Sequence, residues 1–260
     1  SERLTPLSAT ASPAKGSPDV SFMSAADPRL SWAMRGSSYG YGSGLRQMLR
    51  AAAAAALCCV LLAAGADIPS AYGATPVKIV ALGDSLTAGL GLPSNDGFVP
   101  RLQAALSAKG VAAELENAGV SGDTASGGLA RLDWSVPPNT DAVILELGAN
   151  DMLRGIDPQV TYAALDGILQ RLGQRHIVVL LCGMRAMPNL GADYARSFER
   201  IYPELAAKYG VLLYPFFLAG PAADLTLRQA DGLHPNAAGV NAIVAHIFPK
   251  VQELIAQIRN

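Results

Sequence analysis

The tightest constraint on the fold is a rhythm. Five short apolar runs, at residues 77–82, 112–117, 142–147, 176–182 and 211–214, alternate with longer stretches whose apolar residues recur at helical spacing. The run at 77–82 carries a single Lys, as a strand covered on both faces requires. The intervening helices are predicted over 98–109, 123–132, 158–172, 192–209 and 236–258, with Pro249 marking a kink or break in the last. Pro158 suits a helix start, while Gly110, Gly173 and Gly210 suit helix ends. Apolar strands alternating with helices predict an α/β protein, a five-stranded parallel sheet sandwiched between helices. Ligands of such sheets sit beyond the carboxyl ends of the strands, so polar residues that follow a strand deserve the closest reading.

The rhythm begins only at residue 77. Residues 1–47 are rich in Ser, Ala, Gly and Pro and show no sustained apolar period. That composition buries too little surface to offset chain entropy, so this stretch is expected to be disordered or untranslated, with Met48 or alternatively Met34 as the true start. Arg46 and Arg50 precede residues 51–66, sixteen residues without a charge. A membrane span needs about 20, whereas a basic flank, a short apolar run and small residues describe a secretory signal peptide. Ala64-Gly65-Ala66 fits the cleavage rule and Ala71-Tyr72-Gly73 offers a second site. Residues 48–74 are therefore expected to be a signal and spacer, and residues 75–260 an exported domain, periplasmic or secreted, without a stable membrane span. A membrane-anchoring helix is the alternative; the surroundings of Cys58 and Cys59 match a lipoprotein anchor poorly.

Charge and cysteine usage narrow the function. Residues 1–66 hold six basic and three acidic residues; the remainder holds 14 basic and 18 acidic, a net −4. An acidic domain argues against nucleic acid as a partner. Beyond the signal only Cys182 remains, which excludes an internal disulfide and a Cys-based zinc site. Cys182 ends an apolar run and reads as a small core residue. No phosphate cradle, metal-ligand cluster or cofactor motif occurs, and a monomer without metal or cofactor is expected.

Four polar turns then carry the chemistry. Gly83-Asp84-Ser85 ends the first strand, where a helical first turn would offer free N–H groups beside a serine hydroxyl. "NAGVSGDT", residues 117–124, follows the second strand, and Gly122 lets the backbone aim an N–H at a ligand. "LELGANDML", residues 145–153, follows the third, with the Asn150 amide as a further donor. "DGLHPN", residues 231–236, precedes the last helix; Asp231 and His234 are three apart, so the carboxylate can accept from Nδ1 and leave Nε2 as a base. His176 and His246, the other two histidines, fall in a predicted strand and helix. Each turn alone also fits a plain cap or loop. Together they supply a nucleophile, an oriented base and oxyanion donors along one sheet edge, the parts of an acyl-transfer site.

"GDSLTAG", the Gly122 turn, "GAND" and "DGLHP" resemble the four blocks of the SGNH or GDSL hydrolase family over about residues 77–257. "SGDT", "GLARL" and "IYPELA" resemble its bacterial multifunctional thioesterase, lysophospholipase and arylesterase branch. The resemblance implies a flavodoxin-like three-layer sandwich, a Ser85–His234–Asp231 triad, and an oxyanion hole from Ser85, Gly122 and Asn150. It implies a small acyl ester or thioester as substrate, and acyl contacts from the loop "MRAMPNLGADY", where Met184, Met187 and Leu190 would line a groove. Asp84 is expected to organise the nucleophile turn. A carbohydrate O-acetyl esterase using the same site, or a non-catalytic periplasmic binding module, are the competing readings.

Overall fold

A computed structural model describes residues 75–259, all within the compact unit Pro69–Asn260. The expected tail (1–47) and signal segment (48–74) lie outside the described residues. Five strands form one parallel sheet: β1 (Val77–Gly83), β2 (Ala113–Gly119), β3 (Ala142–Glu146), β4 (Val178–Cys182) and β5 (Leu212–Tyr214). Their order is β2-β1-β3-β4-β5. This is the flavodoxin-like order, whose switch point lies between β1 and β3. All five residues of β3 are buried, as are six of the seven in β1. The edge strand β2 is mostly open, in keeping with its alternating Glu114, Leu115 and Glu116.

Two helices cover one face, α2 (Phe98–Ala108) and the long α9 (Ala237–Arg259); they pack on each other as well as on the sheet. The other face carries α3 (Ala125–Ala130), α6 (Pro158–Gln174) and α8 (Ile201–Tyr209). Short helices α1 (Ser85–Ala88), α4 (Leu132–Ser135), α5 (Ala149–Leu153) and α7 (Ala192–Glu199) complete the order. The core is contiguous, from Leu82 and Ile144 in the sheet to Leu102, Leu165 and Ile247 in the helices. Each such side chain contributes about 1.5–3 kcal/mol of burial. Among the described residues no helix is long and apolar enough to cross a membrane.

The structure departs from the sequence expectation chiefly in three places. The helix predicted over 192–209 is two, parted at Arg200. Pro203 explains the break: it lacks an N–H and its ring collides with the carbonyl four residues back, so it is tolerated only in the first turn of a new helix. The predicted fourth strand starts later, because His176 adopts a left-handed φ of 57° in the turn after α6. Finally, α9 runs unbroken through Pro249.

Candidate active site

The turn that presents Ser85 is built by Asp84. As cap of α1 it accepts the Leu86 N–H at Oδ1 (3.0 Å), leaving Ser85 as the first helical residue. At that position the N–H has no intrahelical partner by construction. Ser85 Oγ lies 2.8 Å from His234 Nε2, and His234 Nδ1 lies 2.6 Å from Asp231 Oδ2. Asp231 Oδ1 also accepts the backbone N–H groups of Leu233 (2.9 Å) and His234 (3.0 Å). The His234 ring bond, followed by these backbone bonds, holds the Asp231 carboxyl down at about 2. Asp231 is thus an anion, which only accepts, so the proton on the ring sits at Nδ1 and Nε2 is free to accept from the serine hydroxyl.

The donor side comes from three loops. Gly122 has a φ of 83°, a conformation that a side chain would strain, and its N–H makes no hydrogen bond among the described residues. The same holds for the Ser85 N–H. Asn150 donates one amide hydrogen to Asp84 Oδ2 (2.9 Å) and keeps the other. Ser85, Gly122, Asn150 and His234 all line one cleft of about 470 Å³. Its walls are largely apolar, including Leu86, Met152, Phe216 and Leu218. Met184, buried, and Met187, exposed, both line it. Leu190 is not among the lining residues; it packs half-buried against the core instead. Among the described residues no three His, Cys, Asp or Glu side chains gather as a metal would require. The buried Cys182 thiol is pushed up by desolvation, which suits a core residue.

Several residues of the site escaped the sequence reading. Arg131 is buried: its Nε meets Asp123 Oδ2 at 2.7 Å and its Nη2 donates to the Gly83 carbonyl at 2.9 Å. It thereby ties the Gly122 loop to the end of β1. Asp151 accepts the Ala125 N–H and the Thr161 hydroxyl, which anchors the Asn150 turn to α3 and α6. Arg228 donates to the carbonyls of Pro221, Ala222 and Gly232, bracing the turn between Asp231 and His234. Gln229 ties the Ser85 and His234 segments together: its Nε2 donates to Leu90 O (2.8 Å), just past α1, and to Pro235 O (3.0 Å), beside His234. Removing it in Gln229→Ala forfeits two hydrogen bonds, about 1–3 kcal/mol in all. Urea unfolding is expected to record that loss, and steady-state assay a kcat lower by about ten-fold as the Ser85–His234 distance loosens. Of these residues only Arg131 and Asp151 left a sequence signal, a charge inside a block of small and apolar residues.

The profile of the GDSL-like lipase/acylhydrolase family matches residues 81–242. The chain is 37% identical over 178 residues to Esterase TesA of Pseudomonas aeruginosa, covering 68% of this chain and 89% of that protein. It is 35% identical over 178 residues to the thioesterase 1/protease 1/lysophospholipase L1 of Escherichia coli, covering 68% and 84%. Among solved structures, the SGNH-hydrolase family esterase AlinE4 superposes with a TM-score of 0.59 at 45% identity, over 69% of this chain and 97% of that one.

Proposed function

We propose a mechanism that proceeds from one premise: the chain belongs to the GDSL-like lipase/acylhydrolase family. It is a serine hydrolase of carboxylic esters. In our reading Ser85 is the nucleophile. His234 Nε2 takes the Ser85 proton as Oγ attacks the ester carbonyl carbon, and the electron pair of the C=O moves onto oxygen. The N–H groups of Ser85 and Gly122 and the free amide hydrogen of Asn150 receive that oxyanion. Asp231 stabilises the imidazolium. His234 then returns the proton to the leaving oxygen or sulfur, the acyl group stays on Ser85, and a water activated by the same ring releases it. The single observation that carries this reading is the 2.8 Å contact between Ser85 Oγ and His234 Nε2, within proton-transfer reach.

The finer substrate assignment is an acyl chain on an ester, a thioester or a lysophospholipid. Its support is the apolar cleft beside Ser85, together with relatives named arylesterase and thioesterase/lysophospholipase. The same cleft disfavours a sugar-bound acetyl group, which would need a polar wall. With p-nitrophenyl esters of increasing chain length, each methylene entering the cleft is worth about 0.8 kcal/mol, about four-fold in kcat/KM, until the cleft is filled. A flat series, or a preference for acetylated sugar, would instead favour the O-acetyl esterase. A non-catalytic binding module would leave Ser85 unlabelled by a fluorophosphonate probe. Export to the periplasm or medium is part of the proposal and rests on the signal-like residues 48–74; N-terminal sequencing of secreted protein tests it.

A further inference from the structure

One cluster next to the nucleophile has no part in that reaction. Glu146, the last residue of β3, stands between Gly83 of β1 and Cys182 of β4. Its side chain is fully buried. Oε2 accepts from the Thr87 hydroxyl at 2.8 Å and from the Asp84 N–H at 3.4 Å; Oε1 has no partner among the described residues. Gly83 makes the space: a Cβ there would stand 2.1 Å from Thr87 Oγ1 and 2.7 Å from Glu146 Oε2. Asp84 is equally buried and spends Oδ1 on the Leu86 N–H and Oδ2 on the Asn150 amide.

Two buried carboxyls side by side do not both ionise without a cation to offset them. Among the described residues no Lys or Arg forms an ion pair with either. The surrounding ionisable groups are Cys182 and Tyr202, both held neutral by burial, Asp151 beside Tyr202, His234 on the cleft side of Asp84, and Arg131, already paired with Asp123. One proton must therefore be kept, and hydrogen bonding decides where. Asp84 accepts two N–H bonds of ordinary length that favour its anion; Glu146 accepts a hydroxyl and one long N–H and leaves an oxygen bare.

Building on the reading that Ser85 and Asn150 act on the substrate, we propose that Glu146 is a positioning residue that works as a neutral carboxylic acid. Through Thr87 and the Asp84 N–H it fixes the first turn of α1, and by staying uncharged it leaves Asp84 as the single anion that holds Asn150. Burial, then the Asp84 charge, raises Glu146 well above the ordinary carboxylate range, while Asp84, also lifted by burial, is held lower, at about 6, by its hydrogen bonds.

The test uses the full chain with Glu146→Gln and Glu146→Leu. Native Glu146 keeps its proton where the unfolded chain has lost it, so the native state binds more protons and wild-type stability falls as pH rises above the normal Glu range. Gln does not titrate. The urea midpoint of Glu146→Gln minus that of wild type is therefore expected to widen in favour of Gln from about pH 5 to about pH 8. A gap that stays level across that range means a charged Glu146 and overturns the proposal. On a short p-nitrophenyl ester, Glu146→Gln is expected to keep kcat within about three-fold, and Glu146→Leu to lose about ten-fold or more with KM unchanged. A Gln variant as slow as Leu, or a Leu variant as fast as wild type, also overturns it. Should Leu not fold, Thr87→Val removes the same tie and is expected to lower kcat at constant KM; an unchanged kcat counts against the proposal. Wild type without esterase activity would sink the proposed reaction, while the unfolding series would still report whether Glu146 holds its proton.

Discussion

Ser85→Ala is expected to cut kcat by on the order of 10⁵-fold or more while the protein stays folded. The substitution deletes the only atom able to form the acyl-enzyme. His234 and Asp231 remain braced by Arg228 and by the Asp231 backbone bonds, which do not depend on Ser85. The oxyanion donors also remain, so any residual hydrolysis comes from water in the same cleft. The removed group is one hydroxyl at a largely buried position, and its loss is expected to leave the unfolding midpoint close to wild type. Two measurements check this, turnover of p-nitrophenyl butyrate and covalent labelling by a fluorophosphonate. Near-normal turnover in Ser85→Ala would remove the nucleophile from the mechanism. His234→Ala is expected to fall about as far, and the double variant no further, because the pair acts as one unit.

Asn150→Ala is expected to lower kcat by about 10²–10³ with little change in KM, since the amide meets charge that develops only in the transition state. This variant has a second consequence that an isolated oxyanion donor would lack. Asn150 also donates to Asp84 Oδ2, so its removal leaves a buried carboxylate oxygen without its 2.9 Å partner. An unsatisfied group of that kind costs about 1–3 kcal/mol. Steady-state kinetics and urea unfolding of the same preparation should therefore move together. A loss of stability with kcat intact would reduce Asn150 to a structural tie, and a loss of kcat with unchanged stability would mean that Asp84 finds another donor.

Much of this site could be read without coordinates, and the reason is geometric. Parallel strands all deliver their carboxyl ends to one edge, so polar residues directly after an apolar run converge whatever the strand order. Ser85, Gly122 and Asn150 were legible on that rule, and the Asp231–His234 pair was legible from its own spacing. Leu190 was read into the groove wall because it shares a loop with Met184 and Met187, but loop periodicity says little about side-chain direction, and Leu190 packs on the core. Pro203 was visible, yet helical spacing across it hid the break at Arg200. Gln229 left no trace, since its contact with Leu90 spans 139 residues and depends on how two loops dock. Glu146 did leave one, a lone acid closing the central apolar strand. Spacing alone does not show that its carboxyl is buried, in the pocket that Gly83 opens.

Activity depends on segments far apart in the chain. In the proposed mechanism the nucleophile follows the first strand described and the base lies in the loop leading into the last helix, 149 positions apart. A chain in which the loop at 231–236 is undocked has no imidazole beside Ser85. Turnover therefore reports that these two distant segments have docked, which spectroscopic signals from the sheet alone would miss.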